Sequence, residues 1–187
     1  MDGCWFYNHH PGDDLSEMVV PRVAKSGRNK MLIASDFHDE ILIPNVQAQH
    51  SDNRSIRHAV NAIASLDDYI GIWCHELGAA GRTGLNEEAF RDLFADRSSE
   101  YQILRDMAFA LKHGELTGKK VRLVRHPSQL EKQSAVFSPS VFNSAVFQTS
   151  EVICIQVTGA GSRAVWQLID RAMAVLTDLR NEFEPGA

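Results

Sequence analysis

Arg105 and Asp106 stand in the middle of an otherwise apolar run, Tyr101-Gln-Ile-Leu-Arg-Asp-Met-Ala-Phe-Ala-Leu-Lys-His-Gly-Glu-Leu116. Charged side chains among Ile103, Leu104, Met107 and Leu111 need partners, because an isolated charge is costly to bury. Asp106 and His113 are seven residues apart, so on a helix they fall within about 20° on one face. Arg105, Asp106 and His113 are therefore the candidate catalytic residues, of the types that do acid–base work. The structural alternative is an ion-pair network that joins neighbouring helices. In it, Lys112 and His113 simply complement the negative end of the helix dipole.

A second cluster is the basic run Lys119, Lys120, Arg122, Arg125, His126 and Lys132. Lys120, Arg122 and Arg125 are its candidate ligand-binding residues, for an anionic ligand or RNA. On a strand, Arg122 and His126 face one side and Arg125 the other. The ordinary reading is then a solvated strand whose charges protect a sheet edge.

No metal site is expected. Four histidines of the helical part, His38, His58, His75 and His113, form no Glu-x-x-His or His-x-x-x-His pair. His58 and His75 lie about 25 Å apart along one helix, too far to share an ion. Asp36, Asp39 and Glu40 read as a solvated acidic face. Asn61, Asp68 and His75 form a polar heptad column that either faces solvent or lines a cleft between helices, and exposure is the simpler expectation. Gly159-Ala-Gly161-Ser-Arg-Ala164 imitates a dinucleotide fingerprint, but no second strand follows its helix. No cofactor is expected.

The pattern Tyr-x-x-Leu-Arg-Asp-x-Ala-x-Ala-x-Lys-His-x-x-Leu over Tyr101 to Leu116 resembles a segment of bacterial helical proteins of unassigned activity. The Arg105/His113 arrangement also resembles HEPN-type helical bundles. Those use an arginine and a histidine on one helix, often across a dimer, to cleave RNA without metal. That resemblance implies a metal-independent endoribonuclease or toxin component. The HEPN spacing has four to six intervening residues. Here there are seven, which places Arg105 and His113 roughly 12 Å apart along the axis.

The elements that must position these residues are mostly helices. Residues 1–27, punctuated by Pro11-Gly12, Pro21 and Ser26-Gly27, read as largely irregular. A helical pattern runs from Arg28 to Ile43 with Ile33, Phe37 and Ile41 on one stripe, and Pro44 ends, kinks or shifts it. Asp52 or Asn53 caps the next helix. Its stripe is Ile56, Val60, Ile63, Ile70, Trp73 and Leu77. A short helix follows over Asn86 to Ala95 with Asn86 as N-cap. Ser99-x-x-Gln102 is a capping box for the Tyr101 helix, and Gly114 stops it.

From Lys120 to Val157 the pattern turns to short β-branched runs: Val121–Arg125, Ser134–Phe137, Ala145–Gln148 and Val152–Val157. Ser162 caps a last helix with the stripe Val165, Ile169, Ala172, Leu176, Leu179 and Phe183. The expected organisation is one domain over 1–187. It comprises the irregular segment 1–27, a helical part 28–114, a β-rich insert 119–158 and the C-terminal helix 162–183.

Composition bounds the function classes. Of 187 residues, 44% are apolar and 23% charged, which fits a globular chain rather than a disordered one. The net charge of -5 disfavours a general nucleic-acid or anionic-membrane surface. No run is apolar enough for a membrane helix, and residues 1–10 lack the pattern of a secretory leader. Cys4, Cys74 and Cys154 are odd in number and far apart, as expected of packed thiols in a reducing cytoplasm.

The fold expected is α+β: a bundle of four or five helices with a small antiparallel sheet inserted before the C-terminal helix. The function expected is that of a soluble bacterial binding or regulatory module without enzymatic activity, acting as a homo-oligomer. The alternative is the HEPN-like ribonuclease. Self-association is expected because Trp166, Met173 and Val175, and likewise Tyr69 and Ile72, add apolar surface beyond the main stripes.

Overall fold

The computed structural model describes residues 33–118, 121–134 and 151–184. All of them belong to one compact unit spanning Leu32–Ala187. The helical elements are α1 (Ala34–Phe37), a π-helical turn (His38–Leu42), α2 (Ile43–Ser51), α3 (Ile56–Ala79), α4 (Glu87–Arg97), α5 (Ser99–His113) and α6 (Val165–Phe183). The strands are β1 (Leu130–Ser134), β2 (Glu151–Val157) and β3 (Gly161–Ala164). Since α1, the π turn and α2 run on without a break, the described residues form five helices and a three-stranded antiparallel sheet that precedes α6. This is the expected α+β arrangement.

Pro44 neither ends nor breaks its helix. It has no N–H to give the carbonyl of Glu40, and its ring crowds that carbonyl. The backbone widens into the π turn directly before it, which relieves the crowding and carries the helix onward. α3 starts later than the sequence suggests. Its N-cap is Ser55, whose Oγ accepts the His58 N–H at 3.3 Å. Asp52 instead turns the chain, accepting the Arg54 N–H on its own carboxylate.

The 24 residues of α3 form the axis of the core. Ile63, Leu66, Tyr69, Ile70, Trp73 and Leu77 are fully buried on it, whereas Ile56 is 43% exposed and Val60 half-buried. The buried face is thus rotated from the expected stripe, because α2, α5 and α6 all pack on this helix. Trp73 sits edge-on to Phe90 of α4 and Phe183 of α6, at centroid distances of 5.3 and 5.9 Å. Its indole N–H donates to Glu184 at 3.0 Å, so the buried ring keeps its polar atom satisfied.

The second apolar faces also find partners inside the chain. Tyr69 is fully buried, and Ile72, Met173 and Val175 pack against the core. α4 begins at the predicted cap, with Asn86 accepting the Ala89 N–H at 2.8 Å. For α5 the capping residue is Ser98, one position before the predicted Ser99; its Oγ accepts the Tyr101 N–H at 3.0 Å. Gly114 ends α5 at φ +79°, a conformation that suits glycine.

The sheet order is β1-β2-β3, with Leu130 opposite Ile155 and Cys154 opposite Ala164. β2 is buried on both faces through Ile153, Cys154, Ile155 and Val157. The backbone N–H of Ile153 donates to Asn53, which anchors the sheet to the α2–α3 turn. Two corrections apply to the β-rich region. Val121–Arg125 is not a strand: its backbone bonds go to Leu116, Thr158 and the Asp106 and Gln129 side chains instead of a ladder. Ser162 lies within β3, and α6 starts at Val165 without a side-chain cap. Nearly all of Ser134–Phe137, all of Ala145–Gln148, the segment 1–27 and Cys4 lie outside the described residues.

Candidate functional site

Arg105 and Asp106 are both buried, but they bind different neighbours rather than each other. Arg105, 4% exposed, donates from Nη1 to Asp92 of α4 at 2.6 Å. Asp106, 2% exposed, accepts from Arg122 Nη1 and from the Leu123 N–H, each at 2.7 Å. One charge therefore fastens α5 to α4, and the other fastens it to the segment after α5. His113 is exposed at the end of α5, with its ring stacked on Phe109 at 5.9 Å. The structure does not join it to Asp106.

The basic run is not gathered into one surface. Arg122 is taken up by Asp106, and its guanidinium lies 5.3 Å from the centre of the Phe109 ring. Arg125 is exposed and contributes backbone bonds to Leu116 and Gln129. Lys120 lies outside the described residues. Among the described residues, no group of three or more His, Cys, Asp or Glu side chains is arranged to hold a metal ion.

A different set of residues forms a cleft of about 440 Å³ between α3, α4 and α5. That volume falls in the range of small-molecule sites. Helical spacing builds each wall. Val60, Ala64, Asp67 and Asp68 of α3 fall at i, i+4, i+7 and i+8; Glu87 and Arg91 of α4 at i and i+4. Ala108, Phe109, Leu111 and Lys112 of α5 form the third wall.

Asp67 is held from two other helices. Its Oδ1 accepts the Tyr101 hydroxyl at 3.0 Å and Arg91 Nε at 3.2 Å. Arg91 also donates from Nη2 to the Asp67 backbone carbonyl at 3.0 Å, and from Nη1 to Glu87. Burial holds the Asp67 carboxyl above its ordinary 3.8, against the opposing pull of Arg91 and the Tyr101 hydrogen bond. Glu87 is shifted the other way, below 4.5, chiefly by the hydrogen bond from Arg91. Burial, reinforced by the Asp67 charge, pushes the Tyr101 hydroxyl well above 10, so it remains a donor at neutral pH.

Gly71 makes this network sterically possible. A Cβ there would come within 2.9 Å of Arg91 Nη2 and 3.0 Å of Glu87 Oε1. The guanidinium therefore lies directly on the α3 backbone.

The charged lining differs in its remaining capacity. Arg91 uses all three of its nitrogens. Among the described residues, Asp67 keeps Oδ2 without a hydrogen bond, and Asp68 and Lys112 enter no ion pair. Sequence reasoning missed Asp67, Glu87 and Arg91 as site residues. One signal was present: Asp67 occupies i+4 from Ile63 and i+7 from Val60, a carboxylate set into the apolar stripe itself. The Asn61–Asp68–His75 column is exposed, yet Asp68 lines this cleft and both Asp68 and His75 line a more open depression beside it. At a significant level the chain matches no protein family, no curated protein and no solved structure.

Proposed function

We propose that the protein is a non-enzymatic binding module whose ligand enters the α3–α4–α5 cleft. The observation that carries this reading is the oriented Asp67 carboxylate. Tyr101 and Arg91 fix one oxygen from two other helices, and the second oxygen is left unbonded on a residue lining a cleft with apolar walls. Binding sites commonly join apolar walls to a few polar groups held in place by neighbours. The ribonuclease reading requires Arg105 to reach a substrate. Its burial against Asp92 favours a structural role instead. Oligomerisation has less support than the cleft, because Tyr69, Ile72, Met173 and Val175, four of the five residues expected to drive it, pack within the chain.

Ala64→Trp would place an indole in the cleft from a half-buried position on its wall. Ligand-observed NMR of the full chain against small amphipathic compounds should find binders that this variant no longer binds. If no compound binds, or if the variant binds all of them unchanged, the reading fails.

A further inference from the structure

We propose that the cleft takes a zwitterion with an apolar body: a molecule carrying an ammonium and a carboxylate close together, as a free α-amino acid with a branched or aromatic side chain does. The proposal rests on the cleft being a ligand site and adds the chemistry of the ligand.

The cleft is polarised from end to end. Asp68, Glu87, Arg91 and Lys112 are shared with an adjoining, more open depression of about 320 Å³. Val60, Ala64, Asp67, Ala108, Phe109 and Leu111 belong to the cleft alone. Four charged residues thus mark the shared mouth, and the rest of the cleft is apolar except for Asp67.

At the charged end, Glu87 and Arg91 already satisfy each other. Among the described residues, the remaining capacity is an acceptor on α3, from Asp68 at the mouth and Asp67 Oδ2 just inside it, and a cation on α5, from Lys112. Asp68 and Lys112 are opposite in sign, exposed, and line the same mouth without pairing with each other. A ligand with only one charge would leave one of them unmatched. A zwitterion completes both, with its ammonium on the α3 carboxylates and its carboxylate on Lys112. Its side chain then extends over Ala64 and Ala108 toward Phe109. A free amino acid and the end groups of a short peptide share this chemistry and differ in the separation of the two charges.

Isothermal titration of the full chain with L-leucine and L-phenylalanine tests the proposal, with L-leucinamide, N-acetyl-L-leucine and Leu-Leu as comparators. The free amino acids should bind. Blocking either charge should weaken binding about 2- to 5-fold, the scale of one solvent-exposed ion pair. Asp68→Asn and Lys112→Met, both at exposed positions, should each produce a loss of that size with an unchanged melting curve. Tighter binding of Leu-Leu, with the same sensitivity to both variants, supports the charge chemistry and assigns it to a peptide. If leucinamide and N-acetyl-leucine bind as well as leucine but lose binding in Ala64→Trp, the zwitterion proposal falls and the cleft reading stands. If none of these compounds binds, the zwitterion proposal falls. The cleft reading then falls too unless other amphipathic compounds bind in a way that Ala64→Trp abolishes.

Discussion

The Tyr101 hydroxyl donates to Asp67 Oδ1 across 3.0 Å, joining the first turn of α5 to the middle of α3. Arg91 of α4 reaches the same oxygen at 3.2 Å. Three helices thus meet at one carboxylate, and the cleft opens where they meet. The direction of this carboxylate is set by partners that are themselves held: Tyr101 is fully buried, and Arg91 lies on the backbone of Gly71.

Asp67 and Glu87 should give opposite pH signatures, although both bind Arg91. Asp67 titrates above 3.8 in the folded chain. As pH rises past that value, the unfolded chain releases this proton first, so the Asp67 contribution to stability falls with rising pH. Glu87 titrates below 4.5 when folded, so its contribution is present above 4.5 and lost as pH falls. Urea unfolding of Asp67→Asn and Glu87→Gln between pH 3 and 6 should therefore differ from wild type with slopes of opposite sign. Parallel slopes would contradict the assignment.

Asp106→Ala should destabilise the protein more than Arg105→Ala. Removing Asp106 strands a mostly buried Arg122 and the Leu123 N–H, and breaking a buried pair commonly costs about 3–5 kcal/mol. Removing Arg105 leaves Asp92, whose side chain is 44% exposed and open to water. The loss should then be about 1.5–3 kcal/mol, the range for a charged hydrogen bond. Chemical unfolding midpoints would check the order, and an equal or reversed order would count against the structural role given to Asp106.

Gly71→Ala sets a backbone gain against a local clash. Alanine favours a helix by about 1 kcal/mol over glycine. Its Cβ would press on the ends of Arg91 and Glu87, which can yield only by leaving their present bonds. Melting temperature should change little, while binding at the cleft should weaken, because Arg91 no longer holds Asp67. A variant with unaltered binding would mean that the Arg91–Asp67 contact has no part in the site.

Much of the fold was legible because its signals are local. The Asn86 cap and the Gly114 stop, at positive φ, follow from residue type at a given position. The strand at Val121–Arg125 was misread. β-branched residues suggest a ladder, but the backbone bonds of this segment go to scattered partners, among them Asp106 on α5 and Thr158 after β2, both far away along the chain. The cleft was illegible for the same reason. Asp67, Arg91 and Tyr101 lie 24 and 34 residues from their partners along the chain, and no local periodicity encodes which helix faces meet. What the sequence did carry was the irregularity of an aspartate in an apolar stripe, and the demand of Arg105 and Asp106 for partners.

The most direct test is a two-dimensional NMR titration of isotopically labelled protein with L-leucine. The account predicts saturable shifts concentrated on Ala64, Asp67, Asp68, Ala108, Phe109 and Lys112, which line the cleft from α3 and α5. Shifts confined to other surfaces, or none at millimolar ligand, would contradict it.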